Sequence, residues 1–238
     1  MPTLPECCGA FEDRWPFRQR LPGLSFVQTQ TSPEHFHPDA PAQAALPEPP
    51  SILNAQPKRR TDFLAGRLCA REALTSLGGP VACPDQREDG APAWPDGFTG
   101  SISHTDGLAT AIAGLSEYWM GLGMDLEPMI GDERARRLAP RLLTPDERAR
   151  FRNRLEQAPG ALVTTVFSFK ESLFKALHPV TGQRFYFQDA ELMDTPNRDK
   201  TTLRLCTALG PSWPEGSTLE GHLTDCHDRC LTLVTVPA

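Results

Sequence analysis

The sequence predicts an α+β fold, and three observations carry that prediction. Residues 119–127, WMGLGMDLE, alternate apolar with small or charged positions at a period of two, the mark of a strand. Residues 58–77 and 168–177 place apolar side chains at helical spacing. Short apolar and β-branched runs before and after them read as further strands. With 238 residues, of which 39% are hydrophobic, the chain can bury one substantial core or two small ones.

In chain order, residues 1–20 mix acidic and basic groups among prolines, so no hydrophobic signal peptide is read there. Residues 33–57 are rich in proline and alanine and read as an irregular connection, with His35 and His37 in it as loop residues. The helix at 58–77 follows. Its Arg60, Arg67 and Arg71 fall at i, i+7 and i+11, a stripe about 40 degrees wide at 100 degrees per residue. Phe63, Ala70, Leu74 and Leu77 flank it on one side, Leu64 and Leu68 on the other. Such a ridge is either a solvated basic face or a seat for phosphate, whose oxygens match arginine's planar fork.

Strands are predicted at 100–104 and 108–113, with Ser103 and His104 at the turn between them. No Gly-x-Ser-x-Gly elbow surrounds either serine of that segment, so a Ser-His-Asp hydrolase is disfavoured. In the strand at 119–126, Met120, Leu122, Met124 and Leu126 form an apolar face for the core. The other face ends in Asp125 and Glu127, two carboxylates about 7 Å apart. Like charges that close are either fully solvated or share a hard cation. Gly121 and Gly123 precede them on that face and would leave room for a ligand to approach the backbone.

A helix at 145–156 lies within the arginine-rich stretch 133–154, which is either an ordinary solvated helix or a basic patch for an acidic partner. In the helix at 168–177, Glu171 and Lys175 share one face, while Phe167, Phe174 and Leu177 lie on another. Taken alone the pair is a helix-stabilising contact. Packed beside the strand end, it would make three carboxylates and a lysine converge, a set suited to magnesium and phosphate. No cysteine or histidine accompanies them, which disfavours zinc. Further strands are expected at 184–192, 202–206 and 230–236. Cys226, His227 and Cys230, with His222, match no standard structural-zinc spacing and read as strand or turn.

The net charge of -6 argues against general nucleic-acid binding, because the arginine stripe is local. No apolar run reaches the roughly 18 residues needed to cross a membrane. Seven cysteines, an odd number, suit a reducing cytoplasm.

Four segments, in order, resemble the 4'-phosphopantetheinyl transferases. Residues 58–74, KRRTDFLAGRLCAREAL, are similar to that family's G-R-x-x-A-R helix, and Ser101, Ile102, Ser103 and His104 to its S-x-S-H segment. Gly123, Asp125 and Glu127 form G-x-D-x-E, and residues 167–175 form F-S-x-K-E-S-x-x-K. The likeness is to the surfactin-type branch, including the enterobactin-synthase transferase and related broad-specificity bacterial enzymes, and it spans about half of the chain, residues 58–177.

The resemblance implies two similar α+β halves related by a pseudo-two-fold axis, residues 1–117 and 118–238, with the active site in the cleft between them. It implies that a carrier-protein serine attacks the β-phosphate of coenzyme A, takes the phosphopantetheine arm and releases adenosine 3',5'-bisphosphate. By motif match, Asp125, Glu127 and Glu171 would hold Mg2+ and Lys175 would grip the pyrophosphate. Arg60, Arg67, Arg71, Ser103, His104 and Lys170 would bind coenzyme A. Glu171 is the first choice of general base, acting directly or through a metal-bound water, and His104 competes. One departure stands out: Ala91 occupies a position where relatives carry a basic residue, so a phosphate contact is lost or supplied by Arg87. The implied partners are apo acyl-, peptidyl- or aryl-carrier proteins of fatty-acid, polyketide, nonribosomal-peptide or siderophore synthesis. No nucleic acid or membrane partner is implied, and a monomer is expected. A non-catalytic subunit binding coenzyme A or a carrier protein is the main alternative, and a magnesium phosphohydrolase a weaker one.

Overall fold

A computed structural model describes residues 4–195 and 199–238. The chain divides into two compact units, Met1–Trp15 with Leu21–Tyr118, and Pro16–Arg20 with Trp119–Ala238. Each packs one long helix on an antiparallel sheet, which makes the α+β class explicit.

In the first unit the elements are β1 (Leu24–Gln30), α1 (Ala40–Gln43), α2 (Pro50–Leu53), α3 (Pro57–Ser76), β2 (Asp85–Gln86), β3 (Pro92–Ala93), β4 (Phe98–Thr105) and β5 (Leu108–Leu115). The sheet order is β1-β5-β4. β4 and β5 form a hairpin through Asp106 and Gly107, with Gly107 at φ 78, in the left-handed region that glycine enters without steric cost. Helix α3 lies on this sheet through Leu64, Leu68, Ala70, Ala73 and Leu74, all fully buried. The sequence reading missed β1. Phe26, Val27, Gln28 and Thr29 are all buried, so both faces are covered and the strand shows no polar alternation.

The second unit comprises β6 (Trp119–Pro128), α4 (Asp132–Leu142), α5 (Pro145–Arg150), α6 (Arg152–Gln157), α7 (Pro159–Thr181), β7 (Ala190–Leu192), β8 (Lys200–Leu205), β9 (Thr218–Cys226) and β10 (Arg229–Pro237). The sheet order is β6-β10-β9-β8-β7. Helix α7 begins at Pro159, well before the predicted start, because Leu162, Val163 and Val166 continue the buried face of Phe169, Leu173 and Leu177. It stops at Gly182, whose φ of 66 allows a left-handed cap.

Three expectations need correction. The predicted helix at 145–156 breaks at Phe151 into α5 and α6, and the predicted strand at 184–192 is a strand only at Ala190–Leu192, preceded by a 3-10 turn at Phe187–Asp189. Met120 is half-exposed and so does not join the apolar core face of β6. Cys226 and Cys230 lie on β9 and β10, joined by His227 and Asp228 at φ 47 and 60, as a type I′ turn requires. Among the described residues no helix is long and apolar enough to cross a membrane.

Candidate active site

The carboxylates of β6 meet α7 because two glycines let the helix lie against the strand. A Cβ on Gly123 would sit 1.8 Å from the carbonyl oxygen of Ser172, and one on Gly121 would sit 2.3 Å from that of Ala176. The missing side chains therefore admit a helix backbone, not a ligand, which corrects the sequence expectation. Hydroxyls fasten the contact: Ser168 and Ser172 each hydrogen-bond to Thr232 Oγ1 of β10 at 2.8 Å. Register places Thr232 opposite Asp125. The two serines of the F-S-x-K-E-S-x-x-K segment thus fix the helix that carries Glu171.

This packing puts Lys175 Nζ 2.7 Å from Asp125 Oδ1 and 3.1 Å from the carbonyl oxygen of Met124. Asp125 is buried. Glu127 is half-buried, and burial, with Asp125 next, pushes its carboxyl up to about 7, while Lys175 opposes and Glu171 adds to the rise. Glu171 is also raised, first by burial, with Lys175 pulling it back and Asp125 pushing it up. Glu127 and Glu171 therefore both feel the charge of Asp125, and the Lys175 ammonium offsets only part of the rise.

The oxygen-only donor set and its excess negative charge fit a hard divalent cation such as Mg2+. The side chains do not already form a closed shell: among the described residues no group of three or more His, Cys, Asp or Glu is arranged to hold a metal ion.

Lys170, expected to bind coenzyme A, points elsewhere. Its Nζ donates to Glu147 Oε2 at 2.6 Å and to the carbonyl oxygens of Leu142 and Phe187 at 2.8 Å each, inside the unit. Three donors meet three protein acceptors, so the ammonium has none to offer a phosphate. Glu147 is fully buried, closes the capping box of α5 with Thr144, and accepts from Leu192 N–H at 2.8 Å. Burial lowers the Lys170 pKa and Glu147 opposes that fall.

In the first unit, the arginine stripe of α3 is largely occupied by the chain itself. Arg60 Nε donates to Glu48 Oε1 at 2.8 Å, Arg60 Nη2 pairs with Oε2, and the guanidinium stacks 4.7 Å above Phe36. Its fork is filled, so Arg60 is a strut for the connection before α3, contrary to the expected phosphate role. Arg71 donates to the carbonyl oxygen of Ala44 at 3.0 Å. Arg67 is 5% exposed, lies over Phe63, and keeps its buried Nε without a hydrogen-bond partner among the described residues. Burial brings its pKa down to about 10. A buried, uncompensated guanidinium donor is suited to an anion.

His104 lies on β4 with its ring between two α3 side chains. Arg59 Nη1 is 3.0 Å from its Nε2, and Asp62 Oδ2 is 3.5 Å from its Nδ1. Ser103, its neighbour, is buried. Ala91 is the last residue of the β2–β3 connection, its carbonyl oxygen accepting from Arg87 N–H at 2.8 Å, and Arg87 Nε faces Asp89 Oδ1 at 3.8 Å. Sequence reasoning passed over Arg59, Asp62 and Glu147. Lys58 and Asp62, an i, i+4 pair 3.2 Å apart, were the available signal for Asp62. Nothing local in the sequence links Glu147 to Lys170, 23 positions on.

Residues 47–114 match the family described as 4'-phosphopantetheinyl transferase N-terminal domain, and residues 121–234 match the 4'-phosphopantetheinyl transferase superfamily. The chain is 36% identical to the 4'-phosphopantetheinyl transferase Svp of Streptomyces mobaraensis over 71% of its own length and 68% of that protein. It is 33% identical to the 4'-phosphopantetheinyl transferase PptT of Mycobacterium tuberculosis over 78% of its own length and 80% of that protein. Enterobactin synthase component D of Salmonella typhimurium is 38% identical over 55% of this chain and 53% of its own. The motif order, the geometry of β6 against α7 and these matches agree: the chain belongs to the 4'-phosphopantetheinyl transferase superfamily.

Proposed function

We propose that this transferase is a magnesium-dependent holo-carrier-protein synthase in which the cluster on β6 and α7 carries the chemistry. The carrier serine Oγ forms a bond to the β-phosphorus of coenzyme A, the pyrophosphate P–O bond breaks, and adenosine 3',5'-bisphosphate leaves. The observation that carries the reading is that Asp125 lies beside Lys175 at 2.7 Å, with Glu127 and Glu171 close enough that burial and the neighbouring carboxylates raise the pKa of both.

Asp125, Glu127 and Glu171 would hold Mg2+. When bound, the cation supplies charge stabilisation at the pyrophosphate. Glu171, its pKa lifted toward the working range, accepts the serine proton as general base. His104 remains the competing base. Lys175 orients Asp125 and places a cation beside the reacting phosphates. In the first unit, Arg67, Arg71 and His104 contact coenzyme A phosphates, supported most by the unmatched buried Nε of Arg67.

The carrier partner is acidic and meets the exposed arginines Arg134, Arg136, Arg141, Arg148 and Arg152 of α4 to α6. Carriers of nonribosomal peptide and siderophore synthesis are the first candidates, from the likeness to enterobactin synthase component D. Fatty-acid and polyketide carriers are the next. Seven free thiols support work in a reducing cytoplasm, and a monomer suffices for the roles assigned.

Intact-mass spectrometry of apo carriers incubated with the protein, coenzyme A and Mg2+ tests this, with EDTA as control. One phosphopantetheine added in the magnesium arm alone is the expected result. Equal transfer in EDTA would remove the metal from the reading.

A further inference from the structure

We infer that Asp62 is a positioning residue for His104, an inference that rests on the reading of His104 as a coenzyme A phosphate contact. Asp62 is a carboxylate with 4% of its side chain exposed, and none of the assigned roles uses it. Its Oδ2 faces His104 Nδ1 at 3.5 Å and Lys58 Nζ at 3.2 Å. Arg59 Nη1 stands 3.0 Å from His104 Nε2. Lys58 in turn pairs with Asp106 of the β4–β5 turn at 2.9 Å. Among the described residues, the charged groups that face the imidazole include Arg59 and Asp62 directly, with Lys58 and Asp106 behind Asp62.

The donor and acceptor rules fix the ring. A guanidinium can only donate, so Nε2 accepts from Arg59 and the proton of the neutral ring sits on Nδ1, facing Asp62. A phosphate oxygen has no proton to give, so contact with one requires Nε2 to carry a proton as well. The ring must then be an imidazolium, and Asp62 is the group placed to stabilise its positive charge at Nδ1. Asp62 thus holds the ring orientation and favours the form that can donate to phosphate. The residue acts through His104 and touches no substrate.

A double-mutant cycle of Asp62→Asn and His104→Ala tests this by calorimetric titration with coenzyme A across pH 6 to 8, the range in which histidine titrates. Asp62→Asn should weaken binding about tenfold near neutral pH, equivalent to moving the histidine's pKa down by about one unit. The pH dependence of affinity should move to lower pH, and turnover at saturating coenzyme A should stay within about twofold. In the His104→Ala background Asp62→Asn should cost nothing further. If the two losses add while His104→Ala alone weakens binding, the positioning role is overturned and the coenzyme contact of His104 survives. If His104→Ala leaves affinity unchanged, the contact itself is wrong and this inference falls with it. Nitrogen-15 shifts of the His104 ring in the unmodified protein provide a check that does not depend on a variant folding. A neutral tautomer protonated at Nδ1 agrees with the proposal, and one protonated at Nε2 contradicts it.

Discussion

Gly123→Ala probes the contact on which the site is built. The added Cβ would lie 1.8 Å from Ser172 O and 2.5 Å from Ala176 N, both backbone atoms of α7 that cannot rotate aside. Normal contact demands that helix and strand part by more than 1 Å, which would lengthen the 2.7 Å bond from Lys175 to Asp125. Overpacking of this kind costs about 1–3 kcal/mol. At roughly 2–4 °C per kcal/mol for a chain of this size, the melting temperature should fall by about 2–12 °C. A displacement of about 1 Å at reacting groups can cost on the order of 100-fold in rate, so activity should fall more than stability alone explains. Differential scanning fluorimetry and a carrier-modification assay below the melting range would measure both. Gly131→Ala, whose Cβ meets nothing within 4 Å, is the control and should cost less than about 1 kcal/mol. Unchanged melting and rate in Gly123→Ala would refute the argument that close backbone approach sets the site.

Three further outcomes are expected. Lys170→Met should destabilise the protein by about 3–5 kcal/mol, because Glu147 is left buried without its cation, and Lys170→Met with Glu147→Leu should recover most of that loss in urea titrations. Coenzyme A affinity measured on folded Lys170→Met should be unchanged, and a large loss would restore Lys170 to the coenzyme site. The raised pKa of Glu127 means that its protonated form suits the fold: its contribution is full below about 4.5 and is lost as pH rises through about 7. Urea midpoints should show a pH-dependent fall across that window that is smaller in Glu127→Gln, and Mg2+ should reduce it in the unmodified protein. Identical pH profiles for the two proteins would count against the crowded cluster. Arg67→Met should weaken coenzyme A binding at least tenfold while Arg60→Met should not, a contrast that titration calorimetry can read directly.

Much of this was legible in the sequence where periodicity and spacing coincide. The alternation around Asp125 and Glu127 and the four-residue spacing of Glu171 and Lys175 placed both elements and their charged faces. The sequence does not carry what depends on distant partners. Lys170 looks like its neighbours in the same charged helix, yet its direction is set by Glu147 and by two carbonyl oxygens outside the helix. Arg60 lies on a regular stripe, but Glu48 reaches it from a connection whose path no periodicity encodes. Gly121 and Gly123 advertise space without saying what fills it. β1 escaped, and β9 was read only as strand or turn around His222 and Cys226, because burial on both faces, or polar residues such as His222 within a strand, erases the alternation by which strands are recognised.

The most direct test of the central claim is Glu171→Gln assayed by intact mass on an apo carrier, with coenzyme A affinity measured in parallel. The account predicts transfer slowed by about 100-fold to 10,000-fold, with coenzyme A binding retained. Transfer at the unmodified rate would contradict it, removing Glu171 from both the proton and the cation roles.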